Sequence, residues 1–125
     1  MDSNSFNLFC SSLPSATYVN QWRGSHVWKI SHKVFAIGNW HRGRLSGITF
    51  KASEVAFEHL KDVEGIRPAP YFASRGLKWL QYYVPKSFPE VVVRSYIRNS
   101  HQIVASNLPR KLQKQLGLYL IEKNS

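Results

Sequence analysis

Seven carboxylates, five histidines and one cysteine are the side chains in this 125-residue sequence with the means for acid–base, nucleophilic or metal chemistry. Four of the acids, Glu54, Glu58, Asp62 and Glu64, fall within a stretch that reads as one helix of about eleven residues. Glu54, Glu58 and Asp62 recur every fourth residue and so share one helix face. A general acid–base pair needs two carboxylates whose pKa values are driven apart by burial or a neighbouring charge. A row along a solvated face supplies neither. Cys10 lies in an apolar stripe with Phe6, Phe9 and Leu13, where a thiol packs as a small hydrophobe and is not an activated nucleophile. His26, His32, His41, His59 and His101 show no H-x-x-x-H spacing, and the first three sit in or beside turns with no carboxylate near in sequence. A lone cysteine also excludes an internal disulfide and a Cys-based zinc site. The basic loop Arg42-Gly43-Arg44-Leu45-Ser46-Gly47 lacks the lysine and the strand–loop–helix setting of a phosphate-binding loop. The expectation is a protein with no enzymatic activity, no metal and no cofactor.

Charge carries more information. There are 17 Lys and Arg against 7 Asp and Glu, a formal net charge of +10. No acid occurs in residues 4–53, 65–89 or 91–121, and these runs hold nearly all the basic residues. Negative charge is therefore concentrated on one helix and most of the remaining surface is positive. Such a field attracts polyanions. Arg94 and Arg98 are i, i+4 neighbours that repel on a helix, and Arg110 and Lys111 occupy the first turn of another, the unfavourable end of its dipole. Aromatic residues are interleaved with the cations in Trp22-Arg23, Trp28-Lys29, Trp40-His41-Arg42 and Lys78-Trp79. Most read as sheet core, leaving one or two to stack on bases or wedge into a groove.

The elements that must position these residues follow from periodicity. The Phe6 stripe predicts a first helix stopped by Pro14. From Thr17 the period becomes two: Val27–Ile30 and Val34–Ile37 flank the polar turn Ser31-His32-Lys33, and Gly47–Lys51 follows the loop at Arg42. Ile48 and Phe50 should face the core, with Thr49 and Lys51 on a wet face. Ser53 caps a helix carrying Ala56, Phe57, Leu60 and Val63 and ended by Gly65. Pro68-Ala69-Pro70 forces an extended or turning connection, and residues 76–84 form a further strand. Ser87 and Glu90 read as a capping box opening a long helix to about Ser106. A final helix carries Leu112, Gln115, Leu116 and Tyr119. The fold class is α+β, an antiparallel sheet of about five or six strands with the first, long and last helices on one face, in a single domain over residues 1–125. No stretch reaches the ~20 apolar residues of a membrane span and no signal peptide opens the chain, so a soluble protein is expected. A single cysteine suits a reducing cytoplasm.

Several short motifs, in this order and spacing, resemble the MmcQ/YjbR family of small bacterial proteins. They are Leu13-Pro14-Ser15-Ala16-Thr17 at the end of the first helix, Val27-Trp28-Lys29-Ile30, Lys33-Val34-Phe35-Ala36 and Phe50-Lys51-Ala52. Pro68-Ala69-Pro70-Tyr71, Lys78-Trp79, Ser100-His101 and Leu108-Pro109-Arg110-Lys111 complete the set. The resemblance runs from about Phe6 to Leu118. It departs at Ser15, where glycine is usual, and at His101, where tyrosine is usual. It implies a CyaY-like (frataxin-like) fold and a DNA-binding role through a "double-wing" surface of sheet and hairpins. Iron handling, suggested by that fold alone, would need an acidic ridge that residues 4–53 do not supply.

The combined expectation is a DNA-binding protein that contacts the phosphate backbone of duplex DNA with modest sequence specificity. The residues expected to carry it are Arg42 and Arg44 in the turn, Lys29, Lys33 and Lys51 on the strands, and Arg110, Lys111 and Lys114. The alternative is a module of the same fold that meets an acidic protein or a small anion. The five histidines, the one thiol and the acidic helix enter neither reading.

Overall fold

The computed structural model describes residues 1–118. Helix α1 (Ser3–Ser11) is capped by Asp2, whose carboxylate accepts the Ser5 N–H at 2.8 Å. Strands β1 (Ala16–Gln21), β2 (Ser25–Ile30), β3 (Lys33–His41) and β4 (Arg44–Lys51) then run as an antiparallel meander. After α2 (Glu54–Leu60) come β5 (Ile66–Pro68), a 3-10 turn (Ala73–Arg75) and β6 (Trp79–Tyr82). Helices α3 (Glu90–Ser106) and α4 (Arg110–Gln115) follow. The six strands form one antiparallel sheet in the order β1-β2-β3-β4-β6-β5.

The short turns explain the meander, because antiparallel neighbours need only a hairpin between them. Alternation then divides the sheet. Trp28, Ile48, Phe50, Leu80 and Tyr82 meet Phe6 and Cys10 of α1 and Val93, Ile97 and Val104 of α3 in the core. A row of paired residues crosses the other face: Val19, Val27, Ile37, Thr49, Gln81 and Arg67. That face is not wet at its centre, as the alternation had suggested, for Val27, Ile37 and Thr49 are all buried. Over Thr49 the cover is Gln81, whose Nε2 donates to the Thr49 hydroxyl at 3.3 Å. Its Oε1 accepts two bonds from the Arg67 guanidinium, at 2.9 and 2.7 Å.

One hydroxyl stitches helix to sheet. Ser100 is fully buried on α3. Its Oγ–H donates to the Phe35 carbonyl at 2.6 Å and its oxygen accepts the Lys51 N–H at 2.9 Å. Ala36 pairs with Phe50, so Phe35 and Lys51 would be the next rung of the β3–β4 ladder. The serine stands in for that rung. Phe35 is also the extra residue of a bulge against β2, since Lys29 pairs with Val34 and Trp28 with Ala36.

The structure corrects several boundaries. α2 ends at Leu60, so Asp62 and Glu64 lie in the turns beyond it, and Gly65 (φ 90°) belongs to the entry into β5. β5 itself is a strand where two prolines suggested only a connection; it lies at the sheet edge, where Pro68 breaks no interior ladder. The last strand is Trp79–Tyr82, shorter than residues 76–84. Ser87 and Glu90 form no capping box: α3 begins at Glu90 behind Pro89, and the Ser87 hydroxyl donates to the Val84 carbonyl. Glu90 instead accepts from Arg94 at 2.8 Å. Arg94 and Arg98 do not simply repel either, because both guanidinium groups lie over the Phe9 ring, 5.6 and 5.2 Å from its centroid. Tyr119 lies outside the described residues.

Candidate nucleic-acid interface

The lengths of β3 and β4 decide which cations meet. β3 runs from Lys33 to His41, eight steps that span about 26 Å. Arg42 and Arg44 are therefore at one end of the sheet, with Lys33 and Lys51 at the other. Lys29 pairs with Val34 near Lys33, and α4 follows α3 at that same end through Leu108. The eight candidate residues thus fall into two groups. One holds Arg42 and Arg44. The second holds Lys29, Lys33 and Lys51, with Arg110, Lys111 and Lys114 on the short α4 nearby.

Two hairpin tips make the first end. The β1–β2 tip is Trp22-Arg23-Gly24 and the β3–β4 tip is Arg42-Gly43, between the paired residues His41 and Arg44. At ~4.8 Å between neighbouring strands, the tips stand about 10 Å apart. Trp22, Arg23, Arg42 and Arg44 are all exposed. Trp22 (φ 51°), Arg23 (φ 60°) and Arg42 (φ 50°) adopt the left-handed backbone that such turns reserve for Gly, Asn or Asp. Each departure costs on the order of 1 kcal/mol. Ser31 and His32 do the same in the β2–β3 turn, so the geometry belongs to tight hairpins. What distinguishes the tips is that the strained positions hold a tryptophan and two arginines.

No carboxylate pairs with Arg23, Arg42 or Arg44 among the described residues. Asp2 shares a groove with Arg44, Gly43 and Lys86, but its carboxylate is occupied as the cap of α1, and the Ser5 N–H holds its pKa below the usual value. Sequence reasoning had named Arg42 and Arg44 as contacts but not Arg23 or Lys86. The signal for Arg23 was the Trp-Arg-Gly run before a strand, a turn signature. Trp22 is 58% exposed whereas Trp28 and Trp79 are buried, which answers which tryptophan is available for stacking.

At the opposite end, Lys33, Lys51, Trp79 and Asn107 line a cleft of about 310 Å³ at the C-terminus of α3. The carbonyls there carry partial negative charge, and lysines beside them complement the helix dipole. For Lys33 and Lys51 that placement is favourable whether or not a ligand is bound. The histidines and the thiol form no reactive cluster. Cys10 is buried and desolvation drives its pKa far up. His101 donates from Nε2 to the Pro14 carbonyl at 2.8 Å and stands edge-on to Phe35. Burial lowers its pKa and the bond to Pro14 partly offsets this. No group of three or more His, Cys, Asp or Glu able to hold a metal occurs among the described residues. No helix among them is long and apolar enough to cross a membrane.

The YjbR family model matches residues 11–103, which includes the whole six-stranded sheet and most of α3. The chain belongs to the YjbR family. Its fold is similar to the crystal structure of the Deinococcus radiodurans protein DR2400, which carries the family-model domain DUF419. The TM-score is 0.80 at 18% identity, over 92% of this chain and 87% of that one. No curated protein matches. In this YjbR-family chain Ser15, at the position where the resemblance led us to expect glycine, takes a left-handed φ of 57° and donates its hydroxyl to the Leu116 carbonyl at 3.1 Å. Where tyrosine was expected, His101 reaches the Pro14 carbonyl next to that same turn.

Proposed function

We propose that this protein is a non-enzymatic, cytoplasmic DNA-binding protein that grips the backbone of duplex DNA with its two hairpin tips. The observation that carries the reading is the set of exposed guanidinium groups of Arg23, Arg42 and Arg44, unpaired with carboxylates among the described residues and accompanied by the exposed Trp22. Guanidinium groups bind phosphate oxygens in a bidentate fork. Tips about 10 Å apart match the scale of the major groove, roughly 12 Å wide, so each can reach phosphates on a different strand. Trp22 adds a face that stacks on or wedges against a base step. No helix among the described residues presents a row of base-reading side chains, so affinity comes from phosphates and sequence preference is modest.

A fluorescence anisotropy titration with a labelled duplex tests this. Arg42→Ala/Arg44→Ala should weaken binding by a similar factor for every duplex sequence. Lys33→Ala/Lys51→Ala, at the far end of the sheet, should change it much less. If the second pair matters and the first does not, the interface is not at the tips.

A further inference from the structure

A sheet leaves two edge strands, and this one treats them differently. β5 is three residues long and carries Arg67 and Pro68, which keep its outer side short and charged. β1 is six residues, Ala-Thr-Tyr-Val-Asn-Gln, with no proline and no charge. Its register against β2 is unbroken from Ala16 to Gln21, and its outer side has no strand partner among the described residues. Among the described residues none of the common protections of an edge is present.

The surroundings of β1 mix uncharged polar groups with exposed apolar side chains. Leu8 on α1 is 72% exposed, and with Tyr18 and Trp28 it lines a groove of about 720 Å³ between α1 and the edge. Tyr18 is pinned there through a chain of bonds. The Trp28 indole N–H donates to Asn7 Oδ1 at 2.9 Å, which turns the Asn7 amide nitrogen toward His26. That nitrogen and the Tyr18 hydroxyl both lie within hydrogen-bond reach of His26 Nδ1, at 3.2 and 2.8 Å, and its single lone pair can take only one full bond, best from the nearer Tyr18 hydroxyl. Charge is absent as well. Residues 3–22 contain no Asp, Glu, Lys or Arg, in a chain of net charge +10.

We propose that the β1 edge is a self-association surface, on which a second copy of the chain adds its own β1 antiparallel and continues the sheet across a two-fold axis. Charge selects this occupant. An acidic partner is drawn to the basic ends of the molecule and gains nothing on a neutral strip. Two strongly cationic chains can approach closely only where neither bears charge. Pairing of a strand with its own copy is isologous and closes at two. Keeping both helix layers on one side of the continued sheet requires residues of the same parity to pair. Tyr18 then meets Tyr18 or Asn20 of the second copy, and the two α1 helices lie side by side with Leu8 toward the seam.

Sedimentation equilibrium of the full chain, from micromolar to near-millimolar concentration, tests the proposal. The mass should rise from that of the monomer to that of the dimer, with hydrogen exchange at the outward β1 amides slowing in step. Leu8→Lys and Asn20→Lys alter exposed residues and bring like charges together across the axis. Each should weaken association roughly tenfold or more while leaving the circular dichroism and melting of the dilute protein unchanged. A chain that stays monomeric throughout overturns the proposal, and an extended peptide from another protein would then be the natural occupant of the edge. A dimer that neither substitution weakens overturns it too.

Discussion

Replacing Ser100 with alanine removes one oxygen and orphans two backbone groups. The hydroxyl donates to the Phe35 carbonyl at 2.6 Å and accepts the Lys51 N–H at 2.9 Å, in a position with no solvent exposure. Water is not at hand to replace it. A buried polar group left without a partner costs about 1–3 kcal/mol, so two of them together give about 2–4 kcal/mol after modest relaxation. With an unfolding entropy near 2.1 cal/mol/K per residue, a chain of this length loses about 4 °C of Tm for each kcal/mol, a drop of about 8–15 °C. Urea unfolding followed by tryptophan fluorescence, with thermal circular dichroism beside it, gives both numbers. Ser95→Ala is the control on the same helix, because the Ser95 hydroxyl only back-bonds to the Val92 carbonyl at 2.6 Å; it should cost less than about 0.5 kcal/mol. A Ser100→Ala loss below about 1 kcal/mol would refute the reasoning. It would mean that Phe35 and Lys51 close onto each other as an ordinary ladder rung and that the serine bridge is dispensable.

Gly38→Ala should destabilise by about 2–3 kcal/mol in the same assay, because a Cβ there would stand 2.6 Å from the Trp40 ring and 2.7 Å from Phe6. Gly47→Ala meets the end of the Gln81 side chain, whose displacement gives up its bonds to Thr49 and Arg67 but moves no ring of the core, and should cost less than Gly38→Ala. His101 is held neutral by burial, its pKa lowered. As pH falls below about 6.5 the unfolded chain takes up a proton that the folded chain resists, so stability should decline from pH 7 toward pH 5. His101→Gln keeps a donor for the Pro14 carbonyl and should flatten that decline; an unchanged pH slope would exclude His101 as its source. Cys10 should resist a thiol reagent in the native protein and react at once in denaturant, since the buried thiol is kept protonated. Rapid labelling of the native protein would contradict its placement in the core.

The parts of this fold legible in the sequence were those fixed by local chemistry. The Phe6–Cys10 stripe, the Ser53 cap with its bond to the Ala56 N–H and the period-two strands all specify their structures within a few residues. β5 was not legible, since three residues with a proline carry no period, and their strand character comes from pairing with β6. The Ser87–Glu90 pattern had the composition of a cap, but Pro89 sets the helix start and the nearby Arg94 claims Glu90. The site was half legible. Charge runs identified the cations, but sequence order put Lys33 and Arg42 nine positions apart without showing that an extended strand holds them at opposite ends. Arg23 joins Arg42 only because β1–β2 and β3–β4 are both hairpins turning at the same end of the sheet.

The salt dependence of duplex binding tests the central claim most directly. Arg23, Arg42, Arg44 and Lys86 stand at the tip end of the sheet, and each phosphate neutralised contributes about −0.9 to the slope of log K against log salt. The account predicts a slope of roughly −3.5 for the unaltered protein and a slope shallower by about 2 for Arg42→Ala/Arg44→Ala. Equal slopes and equal affinities for the two proteins would contradict it.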